Sequence, residues 1–419
     1  MVGALFFSMF LGVGLRQGFG IFLETWEREF GATVAAVSVA ASIGWFMNGA
    51  SQVLMGWLID RVGGRVVVTV ATAAMGIGCA LMALVNNVFL LVVVYGVLMS
   101  LASGGLSGGP PTAIAARWFR RRRGTAISVL VSGGSVGGLV LVPFLTYLFV
   151  WTNWRAAWLV ASAIALVLGV PLLWTAVRND PRDLGLLPDG DAPADRGQLP
   201  VESQRPAVAE AREGPLAVSR WQSAYRSAPI WQLSVAYWVC GVTTASITVH
   251  YVRWALSEGI APTTAALAFG LLSAINAAGV LAIGILSDRL PRRVLLGVVY
   301  LIRALAFVLL VVLPGPSALW AFAVVGGASW LATVPLTSSL TADVYGLRRL
   351  GTLVGMANFF HQVGGALAVY LFGLAFDLWD SYDLAFLVGA GLLVAAGLLS
   401  LSIRERRWSV RYAGSPPSQ

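Results

Sequence analysis

The chain has 419 residues, 58% of them apolar and 11% charged, with a formal net charge of +9. An ordinary soluble domain carries roughly 25% charged residues, so this composition excludes one and indicates a chain that lives in a lipid bilayer. All 28 basic residues are arginine, and their placement in loops beside apolar spans argues against a nucleic-acid-binding surface.

A run of about 20 apolar residues crosses the ~30 Å hydrocarbon layer as a helix and leaves no backbone group unpaired in lipid. Twelve such runs are predicted, near 1-23, 35-58, 66-86, 88-115, 124-150, 155-177, 229-252, 262-286, 294-313, 317-341, 352-376 and 384-402. The first begins at once, with no basic region and no cleavage site before the next span, so it is expected to stay in the mature protein. With Met1 cytoplasmic, Arg28, Arg155 and Arg253 lie outside, Arg16 and Arg303 lie within spans, and every other arginine falls in a cytoplasmic segment. That asymmetry predicts a multi-pass protein of the cell (inner) membrane with both termini in the cytoplasm. The run Arg120 to Arg123 then reads as a headgroup anchor. Cys79 and Cys240 fall inside spans, where they behave as small apolar residues and argue for neither a disulfide nor a metal site.

Between spans 6 and 7 the composition changes to Asp, Glu, Arg, Pro and Gly, as expected of a cytoplasmic linker with a poorly ordered middle. The predicted organisation is a six-helix bundle over 1-177, a linker over 178-228, a second six-helix bundle over 229-403 and a cytoplasmic tail over 404-419. The halves echo each other: GWLIDRVGGR, Gly56 to Arg65, follows span 2, and GILSDRLPRR, Gly284 to Arg293, follows span 8. Parallel repeats of six spans are a transporter signature, with the binding site at their interface near the bilayer midplane.

The G-x-x-x-D-R-x-G-x-R loop and its degenerate copy resemble the signature of the major facilitator superfamily, which implies an all-α fold of twelve transmembrane helices in two pseudo-repeats. Within it the chain is similar to the monocarboxylate porters and their bacterial oxalate/formate antiporter-like relatives. The likeness rests on RWFRRRRGTA (Arg117 to Ala126), SGGSVGG followed by Pro143, NWRAAW (Asn153 to Trp158) and NDPRDLGLLPDG (Asn179 to Gly190).

Arg16, in GLRQGFGIF, lies eight residues before Glu24, about 12 Å below the outer end of its predicted span. A charge at such depth costs about 2.5 to 3.5 kcal/mol, so it should face a cavity or a partner. The resemblance places it where the porters use a lysine against carboxylate, and a guanidinium can grip a carboxylate through two parallel hydrogen bonds. A structural arginine held by backbone carbonyls is the other reading. Arg303, ten residues beyond Arg293, is equally deep, but the superfamily places span 9 at the periphery, which favours a structural role over substrate contact. Where the porters carry an aspartate and an arginine on span 8, this chain has Asn276 and Val280. That departure weakens a lactate-like substrate and leaves Asn276 as a polar contact. His361, with Asn358 and Gln362 beside it in span 11, fits either a proton carrier and substrate donor or a helix-bridging histidine. His250, near Arg253, reads as interfacial. Trp45, Trp238 and Trp330 lie within spans, where lining and packing look alike.

No carboxylate falls in the middle third of a predicted span; Glu24, Asp343 and Asp377 come closest. A coupled proton would therefore be carried by Glu24, His361 or the substrate's own carboxylate. Asp60, Arg61 and Arg65 after span 2, with Asp288 and Arg289 after span 8, are expected to latch and release a conformational gate. The glycine-rich segments GGLSGGPP and SGGSVGG suit close helix packing.

The expected function is secondary active transport of a small organic anion by a monomer in the bilayer, with no cofactor and no metal. The alternative is an exporter of amphipathic compounds in the same superfamily, against which span 5 lacks a G-x-x-x-G-P order. An enzyme or sensor lacks any nucleophile with its base, metal-ligand cluster or phosphate-binding loop.

Overall fold

The computed structural model describes residues 1–118, 123–179, 215–218, 220–287, 289–345 and 350–409. Asp288, most of the linker, the end of the tail and the side chains of Asp60, Arg117 and Arg120 to Arg123 lie outside the described residues.

Regular structure among the described residues is helical throughout. Twelve helices are long and apolar enough to span a membrane: α1 Val2–Phe30, α2 Val34–Ile59, α3 Gly64–Met82, α4 Val88–Thr112, α5 Val129–Trp151, α6 Trp154–Ala176, α7 Ala228–Ser257, α8 Pro262–Ser287, α9 Arg292–Val312, α10 Gly315–Tyr345, α11 Thr352–Trp379 and α12 Asp383–Leu401. These follow the predicted runs with one change of consequence. The first span continues past residue 23 to Phe30, because Phe22, Leu23 and Trp26 keep an apolar face buried through ETWEREF. Glu24, Glu27 and Glu29 are therefore helical residues, and Arg16 becomes the midpoint of α1.

The first six spans meet the last six along α2 against α11 and α5 against α8, with the later part of α1 against α7. Within the first half, α1 and α5 touch at backbone distance. A Cβ on Gly137 would stand 2.4 Å from the Phe10 carbonyl oxygen, so no side chain fits there. In the second half, α7 and α11 do the same, and a Cβ on Gly241 would stand 1.9 Å from the His361 carbonyl oxygen. These two approaches fix Arg16 on one side of the centre and His361 on the other.

Among the described residues α4 is interrupted at Ser107–Gly108, toward one end of its span, and two other spans break near their midpoints, each of these two satisfied by a side chain from another helix. Alpha-helical structure in α1 is interrupted at Gly18; the Arg16 carbonyl accepts the Tyr95 hydroxyl of α4 at 3.0 Å. In α10 the helices Gly315–Ser329 and Thr333–Tyr345 leave a gap at 330–332. Arg303 Nη2 donates to the Ser329 and Trp330 carbonyls, while the Leu331 amide donates to Asn276 Oδ1 at 2.9 Å. Broken helices are tolerated at this depth only when buried protein groups satisfy the freed backbone.

The end of the predicted linker is packed rather than loose. Leu216, Trp221 and Tyr225 rest on a small core of Ala224, Ile230, Val344, Tyr345 and Leu353, and the Leu216 amide donates to the Val344 carbonyl at 3.0 Å.

Candidate functional site

At the centre, side chains from α1, α2, α7 and α11 converge. The Arg16 guanidinium carbon lies 4.7 Å from the centroid of the Trp45 ring. Trp45 is 6.1 Å from the His361 ring, and His361 is 4.8 Å from the Tyr237 ring, centroid to centroid. The Tyr237 hydroxyl donates to Asn358 Oδ1 at 3.2 Å. Thus three predicted contacts, Arg16, His361 and Asn358, come together through two aromatic rings. Trp45 was left ambiguous by the sequence and Tyr237 was missed. Its signal was a phenol among apolar residues of α7, a helix that also carries the buried Tyr251, and such a residue fits ordinary packing equally well.

Arg16 is partly buried and pairs with none of the described carboxylates. Its aromatic neighbour offsets part of the cost of a buried cation, about 0.5 to 2 kcal/mol, and among the described residues no hydrogen bond occupies its N–H groups. Its neighbour Gln17 has a buried Oε1 with no hydrogen-bond partner. Behind Trp45 a polar ladder ties the halves together. Gln362 Nε2 and Gln52 Nε2 donate to Asn48 Oδ1 at 2.9 and 3.1 Å, and Asn48 Nδ2 donates to Ser103 Oγ at 3.3 Å.

Arg303 and Asn276 stand elsewhere. Arg303 is 0% exposed, and besides the α10 carbonyls it reaches Cys240 Sγ at 3.2 Å and Thr244 Oγ1 at 3.4 Å. Asn276 is buried, with Nδ2 on Ser135 Oγ of α5 at 3.0 Å and Oδ1 on Leu331. Both serve the α10 break. His250, expected at an interface, is instead fully buried in the second half, between the Tyr382 hydroxyl at 3.1 Å and the Val369 carbonyl at 2.9 Å.

The two ends of the bundle differ. At the acidic end Arg253 of α7 grips Glu27 of α1 with contacts of 3.0, 3.2 and 3.1 Å, the two side chains being 10% and 12% exposed. The Asp377 carboxylate of α11 accepts the Val34 and Ala35 amides at 2.9 Å each and so caps α2. Glu24 pairs with Arg28 on its own helix, and Glu29 pairs with Arg155 at 2.6 Å. Sequence reading missed Glu27 because it ended the first span too early. At the arginine-rich end, Arg61 lies 4.0 Å over Trp57 and Arg65 4.0 Å over Trp174, both within the first half, and Arg289 is exposed. Among the described residues no ion pair joins the halves at that end; Arg292 and Asp343 pair within the second half. A groove of about 290 Å³ between α7, α11 and α12, lined by Trp238, Leu371 and Leu384 among others, is almost wholly apolar and carries none of these groups.

The sequence model of the Major Facilitator Superfamily matches residues 5–369 and 256–416. The chain belongs to that superfamily. It is 26% identical to the uncharacterized MFS-type transporter YcxA of Bacillus subtilis (strain 168), over 94% of this chain and 92% of that one. It is 26% identical to monocarboxylate transporter 13 of Bos taurus, over 94% and 86%. It is 27% identical to the probable sulfoacetate transporter SauU of Cupriavidus necator, over 90% and 87%. Its fold is that of a bacterial homologue of the human lysosomal transporter Spinster in an inward-facing, unoccupied conformation, with a TM-score of 0.66, 15% identity and coverage of 96% and 94%. The protein is accordingly a multi-pass membrane transporter of this superfamily and not an enzyme.

Proposed function

We propose that the protein is a secondary active transporter of a small organic anion, with Arg16 as the anion contact. The observation that carries this reading is a guanidinium at the midpoint of α1 that faces an aromatic ring and pairs with no described carboxylate. Relatives named for carboxylate and sulfonate substrates support the substrate class. A carboxylate would take two parallel hydrogen bonds from Arg16. Asn358 and His361 would reach its remaining polar groups from α11, while Asn276 and Arg303, both buried, would act only indirectly by holding the α10 break.

Alternating access then follows from the two ends. In the Met1-cytoplasmic orientation, the Glu27–Arg253 and Asp377 contacts are an outer latch that closes this state, and the Asp60, Arg61, Arg65, Asp288 and Arg289 loops form the inner latch of the opposite state. His361, partly exposed beside Trp45 and Tyr237, is the proton carrier; Glu24, paired at the outer mouth, is the relay residue toward it. The carrier works as a monomer in the cell (inner) membrane with both termini cytoplasmic. The test is counterflow of radiolabelled carboxylates and sulfonates in proteoliposomes. Accumulation that Arg16→Ala abolishes while insertion persists supports the reading, and wild-type counterflow by Arg16→Ala overturns it.

A further inference from the structure

The seam between α5 and α8 is closed at one level and open at the next. Asn276 Nδ2 of α8 donates to Ser135 Oγ of α5 at 3.0 Å. Three residues away on each helix, on the same faces and one turn nearer the acidic end, stand Gly138 and Ser273. A Cβ on Gly138, the last glycine of SGGSVGG, would stand 2.0 Å from Gln17 Oε1 and 2.6 Å from Ser273 Oγ. Both distances run from one point, so the two oxygens are close neighbours, one from α1 in the first half and one from α8 in the second. The protein itself uses neither. Gln17 Oε1 is buried without a hydrogen-bond partner, Ser273 is 3% exposed, and among the described residues no hydrogen bond engages either side chain. Leaving a buried acceptor bare is costly. Gln17, Gly138 and Ser273 also lie near the midpoints of α1, α5 and α8, the depth at which transporters built from repeats bind their substrates. Gln17 directly follows Arg16, so α1 is the wall that this seam shares with the Arg16 cluster.

We propose that Gln17 and Ser273 form a subsite that reads a hydroxyl group, so that the preferred substrate is a short carboxylate or sulfonate carrying a hydroxyl. This rests on the anion transport proposed above, which it narrows. A hydroxyl suits the pair because it donates and accepts at once. Its hydrogen goes to the Gln17 amide oxygen, and its oxygen receives the Ser273 hydroxyl. An ammonium group in that place would be repelled by Arg16, one residue away along α1. A second carboxylate would set its oxygens against the Gln17 amide oxygen, where no proton stands between them. Because one partner comes from each half, the bound hydroxyl also bridges the halves across the α5–α8 seam. A site built to hydrogen-bond a substrate hydroxyl rejects the analogue that lacks it, since its own polar groups are then left unpaired.

The test is calorimetric titration of the purified protein with pairs of anions that differ by one hydroxyl: glycolate against acetate, and 2-hydroxyethanesulfonate against ethanesulfonate. The hydroxylated member is expected to bind about 5- to 150-fold more tightly, the usual range when a buried acceptor gains its donor. In Gln17→Leu and in Ser273→Ala that ratio should fall towards one. Gly138→Ala, which sets a methyl group against the Gln17 amide, should lower it too; should that variant not fold, the other two decide. Equal affinity within both pairs overturns the subsite, and a ratio that survives Gln17→Leu overturns the part of Gln17 in it. Thermal unfolding without ligand separates a structural role. Gln17→Leu abandons no partner and should keep its melting temperature, whereas a lower melting temperature with an unchanged ratio would make Gln17 a packing residue. If no anion of either pair binds, the proposed function falls and the subsite with it, an outcome distinct from binding without preference.

Discussion

Arg16 and Arg303 sit at matching depths in opposite halves, near the middle of α1 and of α9, yet their surroundings are opposite. Arg303 has two backbone carbonyls, a sulfur and a hydroxyl around its nitrogens; Arg16 has the face of Trp45. Depth in the membrane therefore does not mark a binding residue. Access does: Arg303 is 0% exposed, so even its unpartnered Nε is out of reach of an anion, whereas Arg16 is partly exposed at the centre.

Methionine at each position gives the largest expected contrast. Arg303→Met strips the α10 break of its donors and leaves two buried carbonyl acceptors unpaired, and should lower stability by about 2–6 kcal/mol, by the usual cost of about 1–3 kcal/mol for each buried acceptor left unsatisfied. Arg16→Met removes a charge with no protein anion to abandon and should leave thermal unfolding in detergent unchanged. Equal destabilisation by the two would erase the distinction.

Function should rank them the other way. Losing a charged, desolvated contact to a ligand costs about 2–5 kcal/mol, so Arg16→Ala should weaken anion binding about 30-fold or more. Arg16→Lys should recover part of it, because a point charge survives without the fork. Binding titrations of purified protein measure both, and unchanged affinity in the alanine variant would remove Arg16 from the site.

The twelve spans were legible because each depends on composition over about 20 residues, and no rearrangement of neighbours can hide that much apolar sequence. The place of span 9 favoured a structural Arg303, but its partners in α10, and the role of Asn276, were not legible. Both residues act at a gap in α10 that lies at Trp330 to Ala332, where the one local mark is Pro335, in the first turn of the helix that follows. Pro335 cannot donate to residue 331, and the backbone groups freed at the gap are met by Arg303 of α9, which donates, and Asn276 of α8, which accepts; which helices supply those partners leaves no local signature. Arg16 was legible for the converse reason, since its exceptional feature is a charge in an apolar run. Glu27 fell between the two: its helix was visible in the apolar face of Phe22, Leu23 and Trp26, but its partner Arg253 lies 226 positions away.

The two ends of the bundle give a smaller, sharper test. Glu27→Gln removes a contact that joins the halves, whereas Asp343→Asn removes one within a single half. A latch worth about 1–3 kcal/mol shifts a two-state equilibrium about 5- to 150-fold. Spin-label distances across the acidic end should lengthen in Glu27→Gln and stay put in Asp343→Asn. No lengthening in the glutamine variant would mean that the ion pair does not hold that end closed.

The smallest expected effect concerns Trp45, the ring that separates Arg16 from His361. A cation over an aromatic face gains about 0.5–1 kcal/mol when exposed and about 2 when desolvated, and Arg16 lies between those limits. Trp45→Leu should therefore weaken anion binding about 3- to 30-fold, less than any change at Arg16 itself, because the charge remains and only its seat is lost. Trp45→Phe keeps a smaller aromatic face and should fall between the two. Stability must be read separately, since Trp45 also packs on α11, where a Cβ on Gly365 would come within 2.9 Å of its ring. The discriminating quantity is the order of affinities, wild type above Phe above Leu, measured on folded protein at equal occupancy of the membrane. If the Leu and Phe variants bind as tightly as the wild type, Trp45 is packing alone and something other than an aromatic face holds Arg16 toward its ligand.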